Sequence, residues 1–311
     1  MVDNLELIKN IKRLCKEKNA VILAHYYQTP EIQEIADFIG DSLQLSQTAA
    51  NTNADIIVFA GVYFMAETAK ILSPEKKVLI PDKEAGCSLA DSLPADKFAE
   101  FLKQYPHHTV ITYVNASAEI KAMSDIICTS SNAVKIVNSV EKDKPIVFAP
   151  DRNLGNYINS ITGRNMVIWD GACHVHEEFS LERILELKKE YPKAKLIAHP
   201  ECKKPILIIS DFIGSTAALL QYVQKDDANE YIVATESGIL HQMVKACPSK
   251  HFIPAPPIDA TCGCNDCKFM KLNTLEKIYY SLKNEVFDVQ LKREIIEKAK
   301  IPILKMLELS K

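Results

Sequence analysis

The chain has no excess of positive charge. Its 37 Lys and Arg stand against 40 Asp and Glu, a net charge of −3. A general nucleic-acid binder needs a cationic surface, so nucleic acid is not expected as a partner. No DNA-binding motif or basic patch stands out either. Long apolar runs are also missing: none reaches the roughly 18 to 20 residues of a bilayer span. The N-terminal stretch MVDNLELIKNIKRLCKEKN reads as a charged amphipathic helix. It lacks the apolar centre and small-residue cleavage site of a secretory signal. The nine cysteines are therefore expected in a reducing compartment, the cytoplasm. There, clustered thiols more often serve metal or redox chemistry than disulfides. Finally, no Pro/Gly/Ser-rich linker divides the chain, so its domains should pack tightly.

What is present is a hidden repeat. Cys87 lies in KEAGCSLAD, Cys173 in WDGACHVHE, and Cys262, Cys264 and Cys267 lie in TCGCNDCKFM. Cys87 and Cys173 are 86 residues apart, and the last group follows 89 to 94 residues later. Each cysteine closes a unit that opens on an apolar run ending in polar groups: VILAHYY, VITYVNAS and LIAHPE. His25, Tyr113 and His199 fall at one place in the three runs. Next come an Asp, an apolar stretch and a hydroxyl: Asp37 with Ser42, Asp125 with Ser130, Asp211 with Ser215 and Thr216. A third motif recurs as IIVFAG, PIVFAP and YIVATE, and a fourth as VLIP, MVIW and HFIP. Such internal repetition governs the fold and takes precedence over local patterns.

Within each unit, short β-branched runs alternate with helical patterns. The helical stretches are 31–39, 63–72, 116–123, 131–140, 181–191 and 216–223. This alternation predicts buried parallel strands with helices on both faces. The expected architecture is α/β: three pseudo-threefold-related α/β/α sandwiches around a central site. The expected divisions are 1–90, 91–176 and 177–268, with C-terminal helices at 269–311 packing on the first domain. Pro302 should start, break or kink the last of these helices.

Ligands of parallel α/β sheets sit beyond the carboxyl ends of the strands. This reading places His25 and Tyr27, Tyr113 and Asn115, and His199 and Glu201 there. Members of each pair are two residues apart, so in extended backbone both point the same way. Taken singly, each pair is explained as well by local hydrogen bonding; the threefold recurrence favours a site. Ser42, Ser130 and Thr216 lie at the starts of helical patterns, where capping alone explains any one of them. Together, three helix starts on one axis would suit a small, multiply anionic substrate.

Three convergent thiolates suit a metal centre with one open position. Zinc keeps a foothold through His174 and His176 beside Cys173, but structural zinc wants four protein ligands and no second Cys-x-x-Cys exists. One thiolate per domain better fits a [4Fe–4S] cluster with three protein ligands, since electron-transfer clusters use four. Spacing does not choose among Cys262, Cys264 and Cys267. Cys15, Cys128, Cys202 and Cys247 read as buried or incidental thiols.

Across nearly its whole length the chain resembles the quinolinate synthase family, iron–sulfur enzymes of NAD biosynthesis. The resemblance is carried by AHYYQ, IADFIGDSLQL, VFAGVYFMAETAKIL, YVNASAEIKA, TSSNA, FAPDRNLG, HPEC, DFIGST, TESG and the two cysteine loops. It implies a triplicated fold with the cluster on its axis. It also implies a transferase-type condensation of iminoaspartate with dihydroxyacetone phosphate, giving quinolinate, phosphate and two waters. By motif the cluster ligands are Cys87, Cys173 and Cys267; the last is chosen because the family ligand precedes the segment Lys268 to Lys271. Cys262 and Cys264 are then a candidate redox-sensitive pair. The implied substrate contacts are His25, Tyr27, Ser42, Tyr113, Asn115, Ser130, His199, Glu201 and Thr216. Glu201 is the expected general base, with Tyr27 and His199 as proton carriers. One departure is Ala217-Ala218, where the family commonly has a small Ser or Gly. An L-aspartate oxidase is the expected supplier of iminoaspartate, and the state expected is monomer or homodimer. Another cluster-dependent hydro-lyase, or an iron–sulfur or zinc sensor, are the competing classes.

Overall fold

The structure is a computed structural model and describes residues 4–259 and 266–311. Its strands form three separate four-stranded sheets, all parallel and all in the same order. The first holds β1 (Ala20–His25), β2 (Phe38–Gly40), β3 (Ile56–Ala60) and β4 (Lys77–Leu79), ordered β2-β1-β3-β4. The second holds β5 (Thr109–Tyr113), β6 (Ile126–Cys128), β7 (Ile146–Ala149) and β8 (Val167–Ile168), ordered β6-β5-β7-β8. The third holds β9 (Lys195–Ala198), β10 (Phe212–Ile213), β11 (Glu230–Ala234) and β12 (His251–Pro254), ordered β10-β9-β11-β12. The α/β architecture of three helix-flanked sheets follows.

Helices cover both faces, so the central strands are apolar without alternation. Every residue of β3 and β7 is buried. In the first repeat, Leu23, Ile57 and Phe59 pack with the helices Ser42–Asn51 and Tyr63–Leu72. Ile22, Ala24 and Val58 face the other way, onto Leu7, Ile11 and Leu14 of the helix Asn4–Glu17 and onto Ile278 and Leu282.

The recurring aspartates hold this scaffold together. The carboxylates of Asp37, Asp125 and Asp211 accept the backbone N–H groups of Ile22, Val110 and Leu196, at 2.8, 2.8 and 2.7 Å. In return, each aspartate donates its own N–H to the carbonyl of the same residue. Each clamp lays the next three or so residues against the first strand, and those residues become β2, β6 and β10. The helix expected over 31–39 therefore stops at Ile35, and Phe38–Gly40 pairs with β1 instead.

The helix Leu275–Asn284 packs on the helix Asn4–Glu17 of the first repeat. The final helix, Arg293–Leu309, packs on both the first and second repeats. Its C-terminal neighbour Ser310 accepts a hydrogen bond from Asn132 Nδ2 at 2.8 Å. Pro302 neither starts nor breaks this helix. The lost N–H bond is tolerated because Ala299, Pro302, Ile303 and Met306 are buried on one side.

Candidate active site

Register brings the carboxyl ends of the strands level. Ala24 pairs with Ala60, Thr112 with Ala149, and Ala198 with Ala234. The residues just beyond them line one central chamber. The first repeat contributes His25, Tyr27 and Ser42; the second, Tyr113, Asn115 and Ser130; the third, His199, Glu201 and Thr216. Cys87, Cys173 and Cys267 line the same chamber. Val62, Phe64, Met65 and Val175 supply apolar wall. Cys262 and Cys264, the candidate redox pair, lie outside the described residues.

Extended backbone is not what aims the paired residues. The strands end at His25, Tyr113 and Ala198, and the chain turns immediately after. In the first and third repeats the histidine itself makes the turn. His25 Nδ1 accepts the N–H of Tyr27 at 3.2 Å, and His199 Nδ1 accepts that of Glu201 at 3.3 Å. An accepting Nδ1 puts the ring proton on Nε2. For His199 that proton faces Ser130 Oγ, 3.1 Å away. Burial chiefly pushes both imidazoles down to about 3, so both rings are neutral near pH 7.

The chamber hydroxyls are not the helix caps. Asp41 caps the helix that begins at Ser42, in a reciprocal box with Gln44. Ser215 Oγ caps the helix that begins at Thr216. Asn132 is the N-cap residue after Ser130, its side-chain oxygen accepting the N–H of Thr129 at 2.7 Å. In the first and third repeats a neighbour therefore holds the helix start, while Asn132 makes no capping bond to its own helix; Ser42, Ser130 and Thr216 are left on the chamber wall.

Glu201 sits at the centre of the polar network. Tyr113 donates its hydroxyl to Glu201 Oε1 at 2.5 Å. His176 Nδ1 lies 3.0 Å from Oε2. Burial alone would raise the Glu201 carboxyl. His176 and His199, with the Tyr113 hydroxyl, outweigh it and hold the group below the usual carboxylate range. The Tyr27 hydroxyl lies 2.8 Å from Thr216 Oγ1 and 2.8 Å from Thr235 Oγ1. Burial pushes both Tyr27 and Tyr113 well above the usual phenol value, so they act as phenols. Asn115 Oδ1 is buried and has no hydrogen-bond partner among the described residues. A buried acceptor left open in a polar chamber calls for a donor from a ligand.

The three sulfurs share one local design. Backbone N–H groups three residues on point at each Sγ: Ala90 at Cys87, His176 at Cys173 and Met270 at Cys267. Even so, burial pushes all three thiols up, Cys87 to about 12. Only a strong positive charge would make thiolates of them, which is what iron or another metal supplies. Ligand atoms of Cys173, His176 and Glu201 also lie within 4.8 Å of one another, a group able to hold a metal ion. His174, by contrast, hydrogen-bonds Ser88 Oγ through Nδ1 at 2.7 Å. The donor set thus fits a thiolate-bound metal group.

Two buried carboxylates escaped sequence reasoning. Asp151 accepts the N–H groups of Asn153, Leu154 and Cys173 at 2.8, 2.9 and 3.0 Å. Burial, then the Glu201 charge, pushes this carboxyl up, and the three donors pull it back. Glu236 accepts the N–H groups of Gly238 and Cys267 at 2.7 and 3.0 Å, and the Lys271 ammonium at 2.8 Å. Lys271 also donates to the Tyr27 carbonyl at 2.6 Å, joining the first and third repeats. The signal was present in FAPD and ATES. Aligning the third motif as IIVFAG, PIVFAP and YIVATE misplaced it by one residue. Sheet register sets Ala60, Ala149 and Ala234 level, so Val62, Asp151 and Glu236 correspond.

The sequence matches the family described as "Quinolinate synthetase A protein" over residues 9–308. Curated relatives named quinolinate synthase cover nearly the whole chain. The Nostoc sp. protein is 61% identical over 306 residues, 98% of this chain and 94% of its own length. The Thermosynechococcus vestitus protein is 61% identical over 306 residues, covering 98% and 96%. The Synechocystis sp. protein is 59% identical over 305 residues, covering 98% and 96%.

Proposed function

The chain belongs to the quinolinate synthetase A family, and from that premise we propose that its central chamber makes quinolinate in NAD biosynthesis. The reaction joins iminoaspartate to dihydroxyacetone phosphate and releases phosphate and two waters. The observation that carries this reading is the meeting of three partly buried sulfurs, one per repeat, with the histidine, tyrosine and glutamate side chains of all three strand ends. Cys87, Cys173 and Cys267 would hold a [4Fe–4S] cluster, which with one iron free of protein ligands supplies a Lewis acid.

The chain's own residues do the rest. Both substrates are anionic, and the hydroxyls of Ser42, Ser130 and Thr216 offer donors for carboxylate and phosphate oxygens. Asn115 Oδ1, left open in the chamber, takes a substrate N–H or O–H. Neutral His25, with its proton on Nε2, donates to a substrate oxygen and orients it. Glu201 is the base. On its own its depressed pKa makes it a weak one. A bound dianion nearby raises it toward working strength, because like charges disfavour ionisation. Tyr27, Tyr113 and His199 carry protons along the hydrogen bonds already described. The apolar wall of Val62, Phe64, Met65 and Val175 keeps bulk water out while water is being eliminated.

On this reading the enzyme works in the cytoplasm, where thiols stay reduced. Iminoaspartate is unstable, so an L-aspartate oxidase is the partner that would supply it. No helix among the described residues is long and apolar enough to cross a membrane. The test is direct. Anaerobically prepared protein given the two substrates should release quinolinate, and Cys173→Ala should not. Absence of quinolinate from iron-replete parent protein would overturn the reading.

A further inference from the structure

We propose that Asp151 and Glu236 are positioning residues that set the Cys173 and Cys267 turns for ligation, and that the Cys87 turn is built without one. This rests on the reading of the three cysteines as ligands. The argument is geometric. In the second and third repeats a fully buried carboxylate stands two residues beyond the third strand, and in both it accepts the backbone N–H of the cysteine itself, at 3.0 Å. Two repeats separated by 85 residues thus make the same unusual bond to the same functional residue. In the first repeat Val62 takes that position. There the cysteine turn is held through main chain instead, Tyr63 N–H donating to the Ala85 carbonyl at 2.7 Å. A hydrogen bond to the ligand's own amide fixes the backbone from which Sγ projects. Groups that orient metal ligands in this way govern how well the metal is held.

The two carboxylates differ in a way that makes the proposal testable. One Asp151 oxygen serves the helix N–H groups of Asn153 and Leu154, and the other serves Cys173 alone. In Asp151→Asn the remaining oxygen keeps the two-donor side, and the new NH2 opposes the Cys173 N–H. The cysteine bond is lost at constant volume. At Glu236 the oxygen that serves Cys267 also serves Lys271, while the other serves Gly238. In Glu236→Gln the carbonyl stays on the Cys267 side, so the cysteine bond survives; in Glu236→Ala it does not.

The experiment measures anaerobic iron release from reconstituted holoprotein into excess ferrous chelator, together with the thermal midpoint of each cluster-free protein. Asp151→Asn and Glu236→Ala should release iron about tenfold faster or more, the range seen when such orienting groups are removed. Glu236→Gln should stay close to the parent. Release at the parental rate in both Asp151→Asn and Glu236→Ala overturns the proposal. So does faster release in all three that merely tracks a lowered cluster-free midpoint, since that marks a general structural role. A parent that binds no iron instead overturns the ligand reading beneath it.

Discussion

The first and third repeats carry the same scaffold to the same chamber and deliver different chemistry. Each has an aspartate clamp, a histidine at the end of its first strand, and a ring nitrogen that accepts the amide two residues on. That amide belongs to Tyr27 in the first repeat and to Glu201 in the third. The scaffold is conserved among the copies by backbone bonding, while function is set by single side chains just past the strand ends. The second repeat makes the point again: it keeps the clamp and replaces histidine with Tyr113.

Separating these two kinds of residue gives the sharpest tests. The largest effect is expected at the delivered side chain. Glu201→Gln should retain iron and lose about 100-fold or more in turnover, the range of a general base; full activity would remove Glu201 from the chemistry. A smaller effect of the opposite kind is expected at the clamps. Asp125→Ala should lower folding stability by about 1 kcal/mol, the net value of such hydrogen bonds, with turnover per folded molecule unchanged. Chemical denaturation with parallel assays distinguishes the two outcomes.

The acid response tests the chamber's neutral imidazoles. His25 and His199 are held near 3 in the folded protein against an ordinary value of 6.5. Between those values the unfolded chain binds protons that the folded chain does not, so stability rises with pH there. Glu201, also depressed, adds the same sign below its ordinary 4.5. These three groups therefore pull the thermal midpoint of the cluster-free protein down as pH drops below about 6.5, while the raised carboxyl of Asp151 works against them. His199→Asn, whose oxygen can replace Nδ1 as acceptor, should flatten that slope; an unchanged slope would show that His199 does not contribute. An effect no larger than that at the clamps is expected at the caps. Ser215→Ala should cost about 1 kcal/mol and change turnover less than Thr216→Val, because Ser215 holds the helix while Thr216 faces the chamber.

Much of this was legible in the sequence. The recurring Asp, the strand-end pairs and the cysteine loops are separated by nearly constant intervals, and a parallel sheet turns such intervals into one common edge. The helices expected over 63–72 and 216–223 were visible as helical patterns and form as Tyr63–Leu72 and Thr216–Lys225. Other features depend on partners distant in sequence. Nothing local tells that Asp41 and Ser215, rather than Ser42 and Thr216, cap their helices, since all four residue types suit the role. Phe38–Gly40 continues a helical pattern until the Asp37 clamp pulls it to β1. Asp151 and Glu236 carry no local mark of their role, because their partners, Cys173 and Cys267, lie 22 and 31 residues on.

The most direct test of the central claim is Mössbauer spectroscopy with iron and sulfide counts on anaerobically prepared protein, repeated on Cys267→Ala. Three-cysteine ligation predicts about four irons and four sulfides per chain in the parent and loss of the cubane signal in the variant. A parent that holds only zinc, or a variant that keeps its full cluster, would contradict it.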